Sequence, residues 1–158
     1  MEKTIREECQ KRLKVWENQL MVFNLAKEAL TEYEGKVLNR RMITHLKKFF
    51  PEKYSIYWGD SYSWFEINIW GGEIPYTEKV SIWLCYKSEG VKKFSMDLIS
   101  KNGRNYSLLP DYIEKLKNKL ENLDKIVGKY ESIKKEIELF EKEYIENVYP
   151  LTTFFKFN

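Results

Sequence analysis

Two long, charged, heptad-patterned segments, residues 2–33 and 110–147, bracket an aromatic-rich block of period-two sequence over 53–99. That layout constrains the fold because each apolar stripe must be buried, and the two ends can bury theirs against each other around the middle. In the first segment Cys9, Leu13, Trp16, Leu20, Phe23, Lys27 and Leu30 recur at alternating spacings of four and three, with Val15, Val22 and Ala29 widening the stripe. Lys27 is its one break. In the last segment Pro110 opens a helix with Asp111 and Glu114 in the first turn, where the helix dipole favours acids. Ile113, Leu116, Leu120, Leu123, Val127, Tyr130, Lys134 and Ile137 hold the heptad, and Phe140, Tyr144 and Val148 shift it by one residue. As continuous helices the two segments measure about 45 Å and about 55 Å at 1.5 Å per residue, and they are expected to pair antiparallel. Gly128 costs about 1 kcal/mol in a helix interior, so a bend or close contact is expected there.

Between these ends, Gly35 suits the residue just past a helix, and Leu38, Met42, Leu46 and Phe49 mark a short helix over 37–50 that Pro51 stops. From Lys53 the period becomes two. Tyr54, Ile56 and Trp58 alternate with Ser55 and Tyr57, and Gly59, Asp60 and Ser61 supply turn chemistry. Residues 62–70 form the clearest strand, with Phe65, Ile67 and Ile69 on one side and Trp64, Glu66, Asn68 and Trp70 on the other. A third strand is expected over 79–86 and a fourth over 92–99, which makes a four-stranded antiparallel meander. The expected class is α+β: long N- and C-terminal helices pairing antiparallel around a short helix and that meander, in a single domain over 1–158 with a tail at 151–158. In outline this is similar to prefoldin subunits, where two end helices flank a β-hairpin region. The likeness is architectural and carries no residue across.

An aromatic fraction of 16% with Ala26 and Ala29 as the only alanines means that rings fill the core. Twenty-seven basic and 24 acidic residues leave a net charge of +3, too balanced to announce a nucleic-acid or membrane partner over the whole surface. Cys9 and Cys85 fall on different element types, so the expectation is a reducing, cytoplasmic compartment. No apolar run approaches the roughly 18 residues of a membrane span, and residues 1–12 lack the apolar core of a leader. Richness in Lys, Ile, Asn, Tyr and Phe suggests an AT-rich bacterial or phage source.

Strand alternation assembles one face from Tyr57, Trp64, Glu66, Asn68, Trp70 and Trp83, opposite the aliphatic set. Rings beside a few polar groups make a contact surface, since Trp and Tyr supply large area at low rotamer entropy. The competing reading is that helices cover both faces and these rings are core. Arg40, Arg41, Lys47, Lys48 and Lys53 form the densest basic stretch, with Lys93 a further cation that could pair a phosphate. Glu66 and Asp97 could share a face and bind a metal, yet Asn68 and Ile99 stand where a nuclease pattern places lysine. His45 is the only histidine, and no Walker loop, G-x-G-x-x-G or G-x-S-x-G motif is present.

The leading expectation is therefore a non-enzymatic protein-binding module, without cofactor or metal, that occupies a macromolecular partner, such as a phage-encoded inhibitor of a host defence system. The expected partner is a protein, with no membrane. A homodimer through the helices or the tail is a further partner reading. The alternatives are a nucleotide or single-stranded nucleic-acid binder using the aromatic face with Arg40, Arg41 or Lys93, and a metal-dependent nuclease.

Overall fold

The computed structural model describes residues 2–36, 41–60, 64–85, 93–97, 106–123 and 130–148. These hold four α-helices and three strands: α1 (Glu2–Leu30), α2 (Arg41–Phe49), β1 (Tyr54–Asp60), β2 (Trp64–Gly71), β3 (Val80–Cys85), α3 (Leu109–Asn122) and α4 (Tyr130–Val148). The chain divides into two compact units, residues 1–20 with 104–158 and residues 21–103, and the division falls inside α1.

In the first unit the beginning of α1 packs with α3 and α4. The buried seam of α1 runs through Ile5, Cys9, Trp16 and Gln19 and on through Phe23, Ala26 and Leu30. It therefore passes through Gln19 and Ala26 rather than the expected Leu20 and Lys27, and Lys27 breaks nothing. Trp16 is fully buried against an aromatic cluster, its ring 5.2 Å from Phe140, 4.7 Å from Tyr144 and 6.3 Å from Tyr112.

The expected single C-terminal helix is not what forms. The rings of Tyr112 and Phe140 approach to 5.2 Å, whereas one continuous helix would hold those positions about 42 Å apart. α3 and α4 are instead two helices lying side by side. Lys119 pairs with Glu136 while the earlier Tyr112 reaches Phe140 and Tyr144, so the two run antiparallel. Along α1, Arg12 pairs with Glu141 at 3.3 Å and Gln19 accepts a hydrogen bond from the Tyr144 hydroxyl, so α1 ascends with α4. It runs antiparallel to α3 alone. Burying three ring-bearing stripes in one small bundle gains more than extending one helix into solvent, and the two-helix likeness to prefoldin subunits goes with it. Gly128 and the 151–158 tail lie outside the described residues.

The second unit holds the sheet, ordered β1-β2-β3 and antiparallel throughout. A four-stranded meander is not formed among the described residues, where three strands pair. Within 93–97, where the fourth strand was expected, the backbone of Phe94 bonds instead to the turn after α1. Its N–H donates to the Lys36 carbonyl at 2.7 Å, and its carbonyl accepts the Gly35 N–H at 2.8 Å. Gly35 takes φ +78°, as a residue ending a helix in the left-handed region must. Glu34 adds a carboxylate bond to the Met96 N–H at 2.7 Å. The backbone groups of Phe94 and the Met96 N–H are thus bonded to the turn after α1 and not to β3.

β2 leads towards β3 through Gly71 and Gly72, with φ of +121° and +59°. Gly71 and Ile74 exchange backbone hydrogen bonds of 2.8 and 3.0 Å across the turn. The aliphatic face of the sheet is core: Ile67, Ile69, Val80 and Ile82 have no exposed surface. Met42, Ile43 and Leu46 are the buried stripe of α2.

Candidate functional site

The register settles which residues share the polar-aromatic face. Across the sheet Tyr57 faces Asn68 and Asn68 faces Ser81; Glu66 faces Gly59 and Trp83; Ser55 faces Trp70. Trp64 sits opposite Cys85 in the ladder. The face is neither bare nor covered but graded across the strands. On β3, Trp83 is 1% exposed and Ser81 is buried; on β2, Asn68 is 6% exposed; on β1, Tyr57 is 60% exposed. Glu66 and Trp70 are half-buried.

The buried polar residues are reconciled locally. The Ser81 hydroxyl donates to the Asn68 side-chain carbonyl at 2.5 Å, so the pair enters the core without stranding either group. Asn68 and Trp83, read from the sequence as contact residues, are thereby interior ones.

What stays open is a strip of rings that runs from β1 past the end of β2 to the connection between β2 and β3. Trp70 meets Tyr76 edge to face, with centroids 5.0 Å apart and planes at 90°. Tyr76 is 59% exposed, and the Lys79 ammonium lies 4.2 Å from its ring centroid. Tyr57 is the diagonal neighbour of Trp70, a separation of about 7–8 Å that large side chains span. The sequence reading missed Tyr76 because it lies between strands, in a 3-10 turn (Tyr76–Glu78) following Pro75, where alternation gives no signal. Proline fixing φ ahead of an aromatic was the available clue.

The basic candidates do not join this strip as a group. Arg41 opens α2 and is exposed, its carbonyl accepting the Tyr33 hydroxyl at 3.2 Å. Lys93 is exposed beside Phe94, and Arg40 lies outside the described residues. Beside β1 lies a cleft of about 390 Å³ lined by Lys47, Phe50, Pro51 and Glu52 and by three consecutive strand residues, Tyr54, Ser55 and Ile56. Burial, and then the charge of Glu73, push the Tyr54 phenol above its ordinary pKa, so it stays protonated.

The catalytic and metal candidates find little support in the arrangement. Asp97 is not carried on a strand beside β3, so the alignment that would have put it with Glu66 is not formed. Its own N–H bonds to the Ser95 hydroxyl at 3.2 Å. Among the described residues no three His, Cys, Asp or Glu side chains stand close enough to share a metal ion. His45 packs between the rings of Tyr33 and Phe49, at 5.1 and 5.0 Å, with Nε2 3.4 Å from a Glu32 carboxylate oxygen. No helix among the described residues is long and apolar enough to cross a membrane. Comparison with protein-family models, with curated proteins and with solved structures finds no match to this chain.

Proposed function

We propose that this protein is a non-enzymatic binding module that works by occupying a protein partner through the open ring strip of Tyr57, Trp70 and Tyr76. The observation that carries this reading is the gradient across a single face. Trp83, Ser81 and Asn68 are core, while Tyr57 on β1 and Tyr76, packed on Trp70 at the end of β2, remain accessible. Half-buried and exposed rings held in place by strand pairing and by an edge-to-face contact are preorganised, so little rotamer entropy is lost on contact. A cytoplasmic setting belongs to the same reading and rests on the buried free thiol of Cys9. An inhibitor that acts by blocking its target is its narrower form.

The test places a photo-crosslinking side chain at position 57 and, in a second protein, at position 139 on α4, where Leu139 is also exposed. The expected result is one protein trapped from position 57 and none from 139. The purified partner should then bind Tyr57→Ala or Tyr76→Ala at least about tenfold more weakly than wild type, the scale of a hot-spot loss. Equal affinity for all three proteins would remove the ring strip from the interface.

Stacking of a nucleobase on the same rings is the second reading, favoured by the lysine over Tyr76. A single-stranded oligonucleotide that binds wild type and Tyr76→Ala equally would reject it.

A further inference from the structure

The hydrogen-bond register identifies which backbone groups of β1 point away from β2. Gly71 spends both its N–H and its carbonyl on Ile74, on the side away from β1. Its β1 partner, Tyr54, therefore belongs to a non-hydrogen-bonded pair, and consistently the Tyr54 N–H turns away from β2 to the Pro51 carbonyl at 3.1 Å. Pairing continues without a bulge from Tyr54 to Asp60, so alternation sends the N–H and carbonyl of Ile56 outward as well. Neither group has a hydrogen-bond partner among the described residues.

The cleft lies along this same edge. A pocket on one face of a strand touches alternate residues, whereas this one is lined by Tyr54, Ser55 and Ile56 in succession. It therefore runs along the strand backbone, and because β2 occupies the inner edge it runs along the outer one, with Lys47 of α2 and the Phe50–Glu52 turn as its far wall. Two common protections of a free edge are missing from the strand: no lysine and no proline falls between Tyr54 and Asp60. The cleft itself carries one cation, Lys47, and one acid, Glu52. Outside it α2 adds the exposed Arg41 and Lys48 and no acidic residue, so the helix that flanks the edge is cationic.

We infer that the outer edge of β1 is a docking site for an extended acidic segment of a partner protein, which adds as a further strand beside Ile56. One of its apolar side chains enters the cleft against α2. Main-chain bonds to Ile56 supply affinity, the cleft reads one side chain, and the lysines of α2 select acidic neighbours. This deepens the protein-binding reading and rests on it, but uses the strand edge rather than the ring strip.

The test uses the full chain labelled with ¹⁵N and an acetylated hexapeptide alternating Asp and Val. Binding should shift the Ile56 amide saturably and slow its exchange with solvent by at least about tenfold. A peptide N-methylated on alternate amides, a Lys-Val counterpart and Lys47→Glu protein should each weaken the response severalfold or more. The N-methylated peptide leaves the protein untouched and so decides the matter even if Lys47→Glu fails to fold. No Ile56 shift up to about 5 mM peptide, or equal response to the Lys-Val peptide, would overturn the proposal. So would the same shift produced by hexathymidylate, which has no strand to add, or by raising protein concentration alone, which would assign the edge to a second copy. Shifts confined to the rings of Tyr57 and Trp70 would reject the edge while leaving the ring strip standing.

Discussion

At the scale of single residues, backbone geometry and burial decide more than residue type. Gly71 and Gly59 look alike in the sequence, each following a tryptophan in a strand. A Cβ on Gly71 would meet the Lys53 carbonyl oxygen at 2.2 Å, at φ +121°, whereas one on Gly59 meets nothing within 4 Å. Gly71→Ala is therefore expected to cost at least about 1–3 kcal/mol of unfolding free energy, and Gly59→Ala to be neutral or slightly stabilising. Urea unfolding of the pair checks this. Cys9 carries a second prediction. Burial first, then the charges of Glu141 and Glu8, raise its thiol pKa from 9.0 to about 11. Below pH 9 the thiol is protonated in both folded and unfolded chains. As pH rises from about 9 towards about 11 the unfolded chain ionises first, so the stability held below that window is lost through it. Cys9→Ala should lose less stability than wild type between about pH 8 and about pH 10.5 when both are unfolded in urea. Gln19 was illegible for a related reason. A glutamine between apolar residues reads as the stripe's polar flank, and the Tyr144 hydroxyl, 125 residues later, is a donor that supports its burial.

At the scale of elements, strand periodicity was the more legible signal and helix continuity the less. The alternation over 54–58 and 64–70 located β1 and β2, because successive side chains on a strand take opposite sides whatever covers each side. α1 ends at Leu30, with a 3-10 turn to Tyr33, close to the expected end at 33. The C-terminal segment misled because a heptad records only that a stripe is buried, and a helix folded back on its predecessor needs the same stripe as a straight one. One mark of the reversal was in the sequence: the one-residue shift of the stripe at Phe140. The fourth strand failed for a different reason, since Phe94 carries β propensity but bonds to the turn at Gly35 and Lys36. The three-helix packing makes its own prediction. Trp16→Ala should cost about 3–5 kcal/mol as the ring cluster loses its centre. Tyr144→Phe should cost about 1–3 kcal/mol by depriving the buried Gln19 carbonyl of that hydroxyl donor. Thermal unfolding followed by circular dichroism measures both, and the order of the two losses is the check.

At the scale of the whole molecule, about half of the candidate site was legible. Composition and alternation gathered one face but treated it as uniform, since period two says which side a residue is on and nothing about what covers that side. Tyr57 and Trp70 belong to the open part; Asn68 and Trp83 have become core, and Tyr76 joins from between the strands. The functional reading depends on that division, and hydroxyl-radical footprinting of the native protein, read residue by residue by mass spectrometry, measures it directly. Tyr57 and Tyr76 should oxidise quickly, with Trp16 and Trp83 protected until the chain unfolds. Oxidation of native Trp83 as fast as Tyr57 would mean that the face is open from edge to edge, and the division on which the proposed contact surface rests would be wrong.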